Sequence, residues 1–189
     1  YKITEKWMNG DQITIEIPMN IRVEKRYNNS ISVLRGPLYF SLRIDKEYKN
    51  VKINYDNFGY KGSVDWEITP KNAWNYGLII DRGNLMRGFK LTENPVGEYP
   101  FSDKGDMIWS ADSGRYIRVT HDAPLVLTAR GIRIPEWIMK NNSADIPPLS
   151  PVKSEGDPEI ITLVPYGSAK LRITEFPVMD IVMMKEIKR

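Results

Sequence analysis

The sequence lacks the residues on which several kinds of functional site depend. It contains no cysteine and a single histidine, His121. Without thiols, the chain can form no disulfide, no zinc–thiolate centre and no cysteine nucleophile. One histidine leaves a Ser-His-Asp triad or a multi-histidine metal site almost nothing to be built from, so we interpret His121 as structural.

Long apolar runs and clusters of like charge are also missing. No run approaches the roughly 20 apolar residues that span a bilayer, and the chain opens at Tyr1 without a signal-peptide pattern. The net charge is +3, and the basic residues alternate with acidic ones. Because nucleic-acid surfaces show a basic run or face, we expect no nucleic-acid partner, and no membrane partner either. These features do not identify the cellular compartment.

What the sequence does contain is a repeated alternation of apolar and polar residues, clearest in residues 28–44. The apolar positions fall into two sets of opposite parity, which are Ile31 and Val33, then Leu38, Phe40, Leu42 and Ile44. The parity changes at Arg35-Gly36-Pro37, and a side-chain period of two tolerates such a change only at a turn or a bulge. The stretch is therefore predicted to be one long bent strand, or two strands, at the centre of the core.

Other segments show the same period of two, and no long stripe with a period of 3.6 accompanies them. Strands are expected at residues 12–18, 21–26, 64–69, 78–80, 116–120, 124–130, 159–165 and 169–176, the last two forming a hairpin around Tyr166-Gly167-Ser168. Residues 45–65 read as a loop or sheet edge, and residues 93–114 as an irregular excursion. The pattern predicts an all-β fold, an antiparallel, jelly-roll-like β-sandwich with a possible second packed unit.

Acidic residues provide few candidates for chemistry. Asp103, Asp106 and Asp112 lie in the glycine-containing excursion, where a calcium site is chemically possible, but their spacing matches no calcium loop and favours a solvated turn. Glycoside hydrolysis needs two carboxylates in one cleft. The strand glutamates and aspartates read as the solvent-facing half of each alternation, and the sequence pairs no two of them. We predict no catalytic residue, no metal and no cofactor.

The tryptophans and tyrosines are the remaining candidates, since β-domains that bind sugars use exposed aromatic rings as platforms. Trp66 and Trp74 lie on or beside strands and favour packing. Trp109 lies in the excursion, where packing against its own or a neighbouring domain is favoured over ligand stacking. Trp109, Trp137 and Tyr60 are the candidate carbohydrate-binding residues.

Several motifs, in this order along the chain, resemble the C-terminal region of glycoside hydrolase family 127, the β-L-arabinofuranosidase-like proteins. They are Trp7 with Gly10-Asp11, Ile17-Pro18, residues 32–38 (SVLRGPL), 74–78 (WNYGL), 148–152 (PLSPV), 161–167 (ITLVPYG), Leu171-Arg172-Ile173 and Phe176-Pro177. The resemblance covers nearly the whole chain.

The resemblance implies a non-catalytic role. In that family an (α/α)6 barrel carries a cysteine nucleophile and a zinc ion, and β-sandwich domains follow it. Because this chain has no cysteine, none of those residues can be placed in it. The resemblance therefore implies that this chain is an accessory β-sandwich portion of a glycoside hydrolase, and that it packs on a catalytic barrel of the same parent protein.

The resemblance also implies a division of the chain. Residues 1–48 would be the final strands of a first sandwich without its opening strands, 49–178 a second sandwich unit and 179–189 a tail. A secreted or periplasmic location would follow if the parent acts on polysaccharides. The alternative is an autonomous carbohydrate-binding module that uses Trp109, Trp137 or Tyr60.

Overall fold

A computed structural model describes residues 2–51, 65–81 and 83–180. With 42% of the chain in strands and 5% in helices, the all-β prediction is confirmed. The strands of these ranges are β1 Ile21–Lys25, β2 Ile31–Arg35, β3 Leu38–Leu42, β4 Lys46–Val51, β5 Asp65–Pro70, β6 Tyr76–Ile79, β7 Phe89–Glu93, β8 Met107–Ser110, β9 Arg115–Arg118, β10 Leu125–Arg133, β11 Met139–Lys140, β12 Ser143–Ala144 and β13 Glu159–Pro165. Within the described part, no helix is long and apolar enough to cross a membrane.

The parity change at Gly36-Pro37 is a tight turn between two strands. β2 pairs antiparallel with β3, and Val33 lies opposite Phe40. Gly36 has a φ of +55°, and proline at the next position fixes a negative φ, which gives the signs of a two-residue II′ hairpin turn. Both apolar sets therefore face the same core, which confirms the prediction that the stretch is not one straight strand.

Seven strands form the main antiparallel sheet, in the order β1-β2-β3-β13-β10-β6, with β7 also paired to β10. β10 is long enough to bond two strands along one side, β7 through Leu125–Ala129 and β6 through Arg130–Arg133. The sheet curls into a half-barrel. Two-stranded sheets are added by β4 with β5, β8 with β9 and β11 with β12.

The main core packs on one face of the curled sheet. Its fully buried members come from segments far apart in sequence, and include Val33, Phe40, Leu78, Leu127, Leu163 and Phe176. In a smaller cluster, Val126 of β10 and Val164 of β13 alternate with residues of the main core and so lie on the opposite face of the sheet, where Ala123 and Ala169 from the flanking segments pack with them. Apolar side chains therefore pack on both faces of these two strands, although the cluster on the second face is much smaller than the main core.

The segment after β13 joins the open end of the sheet by backbone hydrogen bonds. The Ile31 and Phe176 backbones exchange two bonds of 2.8 Å, and the Leu78 N–H donates to the Pro177 carbonyl at 2.7 Å. Phe176 and Val178 place their side chains in the main core. This segment completes the fold without being a regular strand.

Three expectations about strands were wrong. No strand forms in residues 12–18, and Ile13, Ile15 and Ile17 are exposed, because nothing described covers their apolar side. Residues 169–176 are not a hairpin strand: a 3-10 turn at Tyr166–Ser168 follows β13, whose two edges are already taken by β10 and β3. Residues 93–114 were expected to be irregular, yet Met107–Ser110 forms β8, which pairs with β9. By contrast, Lys46–Val51 forms β4 at the edge of its own sheet, in agreement with the loop or sheet edge expected in residues 45–65, of which 52–64 lie outside the described residues.

The division of the chain at residue 48 stays a prediction. β3, which precedes that point, is hydrogen-bonded to β13 through Leu42 and Leu163. Strands from both sides of residue 48 thus share one sheet and one core.

Replacing Leu163 by alanine should destabilise the fold by about 2–5 kcal/mol, because a fully buried leucine is lost and a cavity remains. The matched control is Ile160→Ala in the same strand, where the side chain is 71% exposed and the change should stay within about 0.5 kcal/mol. Urea unfolding of both variants measures the difference. Equal losses would contradict the assignment of the two faces of β13.

Candidate functional site

One candidate site is a cleft of about 700 Å³ beside the β2–β3 hairpin. It is lined by the hairpin itself, by the loop between β7 and β8, by the residues that enter β10 and by the chain that follows β13. Its lining consists of Arg26, Ser32, Pro37, Leu38, Tyr39, Val96, Pro100, Phe101, Pro124, Leu125, Pro165, Tyr166, Gly167, Ser168, Thr174 and Glu175. We refer to it as the hairpin cleft. Such a volume is typical of small-molecule sites.

One side of the hairpin cleft carries a hydrogen-bonded polar group. The Arg26 guanidinium donates to Glu24 Oε2 at 2.9 Å and to the Tyr39 hydroxyl at 2.7 Å, and it lies over the Tyr39 ring at 5.3 Å. The Tyr39 hydroxyl donates to Glu24 Oε2 at 2.8 Å. Charged partners and a ring contact hold all three side chains in place, so this side of the cleft is pre-organised.

Ser168 contributes a hydroxyl that lacks a partner. The residue is 1% exposed and closes the 3-10 turn after β13. Among the described residues, none hydrogen-bonds to its Oγ. A buried hydroxyl without a partner costs about 1–3 kcal/mol, and such groups are few in folded proteins. This group is therefore an unusual feature of the cleft wall.

The outer wall, which includes Val96 and Phe101, belongs to a loop that a buried ion pair fixes to the sheet. Arg43 donates to both oxygens of Asp103 at 2.7 Å, and it contacts Asp122 at 2.9 Å. Asp103 is 1% exposed and also accepts the Ala123 N–H at 3.0 Å. A bidentate arginine–carboxylate pair of this kind fixes orientation as well as distance.

A second buried carboxylate lies beside the first. Asp106 is fully buried, pairs with the Lys46 ammonium, and accepts from the Tyr48 hydroxyl at 3.3 Å and the Asp103 N–H at 3.0 Å. Burial, together with the negative charge of Asp106, raises the pKa of Tyr48 to about 12. The two aspartates attach the excursion to β4 and to the residue after β3.

The prediction of a solvated turn at these aspartates was therefore wrong for Asp103 and Asp106 and right for Asp112, which is exposed. The reason is long-range: the cations that satisfy the buried pair come from residues 43 and 46, some 60 positions earlier. Within the described ranges, no group of three or more potential ligands is placed to hold a metal. The Asp103 carboxylate pairs with Arg43, and the Asp106 carboxylate pairs with Lys46.

The three aromatic residues predicted to bind carbohydrate are not brought together. Trp109 in β8 is 49% exposed and packs edge-on against Tyr116, with centroids 5.4 Å apart. Trp137 is 3% exposed; it packs against Trp74 and donates its indole N–H to the Asp145 carbonyl at 2.7 Å. Tyr60 lies outside the described residues. Of the two candidates that the structure describes, only Trp109 presents its ring to solvent.

His121, interpreted as structural, is half-buried beside the loop of the outer wall. Its Nδ1 lies 3.1 Å from the Asp122 carbonyl, and its ring packs against Gly97. These contacts are of the kind that a structural histidine makes.

Sequence reasoning missed most of the hairpin cleft. Tyr39 and Glu24 occupy outward positions of their strands, where alternation predicts solvent, and Phe101 lies in a segment that reads as irregular. The available signal was the proline distribution, since Pro37, Pro100, Pro124 and Pro165 all line the cleft. Proline marks strand ends and loops, but nothing in their spacing indicates that these loops meet.

Comparison with protein-family models, curated proteins and solved structures finds no match for this chain. The resemblance to glycoside hydrolase family 127 therefore rests on the sequence motifs alone.

Asp103→Ala should cost about 3–5 kcal/mol of stability, because it leaves the Arg43 guanidinium in a partly buried site without its bidentate partner. Glu67→Ala is the control, since the Lys49–Glu67 pair of 3.0 Å is exposed and such pairs contribute about 0–1 kcal/mol. Denaturant unfolding reports both values. A small effect at Asp103 would show that the loop is held by other contacts.

Stability should fall between about pH 10 and pH 12 partly through Tyr48, since tyrosine in the unfolded chain ionises near pH 10 and Tyr48 in the folded chain near pH 12. The contribution is fully present below the unfolded pKa and is lost as pH rises, because the unfolded state releases its proton first. Tyr48→Phe should show a shallower decline over this window. Urea midpoints of the two proteins, measured as a function of pH, test the difference; parallel curves would contradict it.

Proposed function

We propose that this chain is the non-catalytic accessory β-sandwich portion of a β-L-arabinofuranosidase-like glycoside hydrolase. It packs on a catalytic (α/α)6 barrel of the same parent protein. The ordered motif set supports the family, and the N-terminal segment supports the packing.

The observation that carries the proposal is the exposed apolar side of residues 12–18. Ile13, Ile15 and Ile17 alternate with polar residues, which is typical of a strand with one buried face, yet they are 55%, 76% and 76% exposed. Trp7 and Met8, in the same N-terminal stretch, are 52% and 76% exposed. Soluble proteins that expose such a set of apolar side chains use it to contact another protein surface.

The chemistry of the chain agrees with a supporting role. Glycoside hydrolysis requires one carboxylate that donates a proton and a second that acts as nucleophile or base. Glu24 accepts hydrogen bonds from Arg26 and from Tyr39, so its carboxylate is held as an ion-pair partner. The sequence supplies no thiol for the mechanism that the family resemblance implies.

An autonomous carbohydrate-binding module is the second candidate. Trp109 favours it, because half of its surface is exposed and the ring is held by Tyr116. Tyr116 in turn contacts Trp66 at 5.5 Å, and Trp66 contacts Tyr48 at 5.7 Å. A ring held in this way is suited to stacking on the apolar face of a sugar.

The proposal predicts that the chain alone does not hydrolyse β-L-arabinofuranosides, and that it binds the parent's separately expressed catalytic barrel. Ile15→Ser should weaken that binding about tenfold, since it removes one large apolar contact of about 1.5 kcal/mol. Ile160→Ser, which changes an equally exposed isoleucine on β13, is the control and should bind like the parent chain. Calorimetry measures the affinities, and release of nitrophenol from an aryl arabinofuranoside measures hydrolysis.

Two results would reject the proposal. The first is hydrolysis by the chain alone at an enzymatic rate. The second is a coding region before Tyr1 that specifies something other than a helical barrel with clustered cysteines.

A further inference from the structure

Asn9 and Gly10 lie in a turn near the N-terminal end of the described chain. Both residues are exposed, and neither the Asn9 amide nor the Gly10 N–H hydrogen-bonds to any residue that the structure describes. The flanking residues close the turn: the Asp11 N–H donates to the Met8 carbonyl at 3.2 Å, and the Met8 N–H donates to Asp11 Oδ2 at 2.7 Å. The Asn9 side chain and the backbone nitrogen that follows it are therefore both open to solvent and unpaired.

Glycine at position 10 removes the steric barrier to a reaction between these two groups. Gly10 has a φ of +101°, and a Cβ at this position would meet no atom within 4 Å. Any other side chain would shield the backbone nitrogen and restrict its motion, whereas glycine does neither. Asn9 is the only asparagine of the sequence that precedes a glycine. Asn75, by contrast, is buried, and its amide donates to two backbone carbonyls.

We propose that Asn9 is a site of spontaneous deamidation. The Gly10 backbone nitrogen, after losing its proton to solvent, attacks Asn9 Cγ; the new C–N bond closes a succinimide ring, and Nδ2 takes up a proton and leaves as ammonia. Water then opens the ring. Breaking the bond from the ring nitrogen to Cγ gives an aspartyl residue at position 9, and breaking its bond to the α-carbonyl carbon gives an isoaspartyl residue. Water is the only co-reactant.

The reaction changes the exposed N-terminal stretch in two ways. Either product adds a negative charge two positions from Asp11 and beside Trp7 and Met8, whose side chains are 52% and 76% exposed. The isoaspartyl product also adds one carbon atom to the backbone within the turn that the two hydrogen bonds between Met8 and Asp11 close. The inference goes beyond the proposed function and does not rest on it, because the reaction needs only the isolated chain and water.

Storage of the full chain in mildly alkaline buffer, followed by tryptic peptide mapping, tests the proposal. The tryptic peptide of residues 7–22 contains Asn9 and Asn20, so Asn20, which precedes an isoleucine, is a control within the same peptide. We expect loss of ammonia at Asn9, with aspartyl and isoaspartyl products, while Asn20 keeps its amide. The rate should fall in weakly acidic buffer, because the attacking nitrogen must lose its proton.

A free peptide of residues 7–22 gives the reference rate. Asn9 of the folded chain should react within about tenfold of that rate, the factor for opening one exposed hydrogen bond. Gly10→Ala should react more slowly because its methyl group shields the nitrogen, and Asn9→Gln should keep its amide because attack would have to close a larger ring. The proposal is overturned if Asn9 keeps its amide in the folded chain while the free peptide loses it, if Asn20 reacts as fast as Asn9, or if Gly10→Ala reacts as fast as the unsubstituted chain.

Discussion

The contact of Arg43 with Asp103 decides where the loop between β7 and β8 lies. Asp103 is buried and its two oxygens are both taken by one guanidinium. A buried carboxylate has no favourable position other than against its cation, so the loop between β7 and β8 cannot move away from the sheet without a large cost. The outer wall of the hairpin cleft, with Phe101 two residues before Asp103, depends on this pair. Such a buried pair specifies a position more than it adds stability.

The sequence predicts those parts of the fold that local physics determines. The β2–β3 hairpin follows from a parity change at a glycine–proline pair, and β13 and β10 follow from β-branched alternation between turn residues. The 3-10 turn at Tyr166–Ser168 and the irregular segment after it did not follow, because the same residue types suit a hairpin. Residues 169–176 do not pair with β13, because β10 and β3 already occupy both of its edges.

The candidate site was less predictable than the fold, for a reason visible in its residues. Glu24 and Tyr39 read as solvent-facing because their strands alternate, and they do face away from the main core. What makes Tyr39 part of a cleft wall is a loop more than 50 residues later, held by an arginine after β3. No pattern in a short stretch of sequence predicts a contact between residues so far apart. Trp137 shows the converse case, an aromatic residue in an irregular segment that packs into a small core of its own with Trp74.

The exposed N-terminal segment and the hairpin cleft are joined by one contact. Met19 packs against Gly36, where any side chain would collide with the methionine sulfur, and the next residue, Pro37, lines the cleft. A surface that meets another protein through residues 12–18 is therefore connected to the hairpin that forms the cleft floor. Glycine at this turn serves two needs, a positive φ and room for Met19.

The exposed stretch Gln12–Pro18 has a cost for the molecule whenever no partner covers it. Alternating isoleucines beside threonine and glutamate give a short segment with a strong tendency to pair with copies of itself in cross-β stacks. Glu16 opposes such stacking, because in-register layers would place its negative charges directly above one another, and Pro18 ends the segment. Glu16 and Pro18 are thus the residues of this stretch that oppose stacking of isolated chains through the three isoleucines.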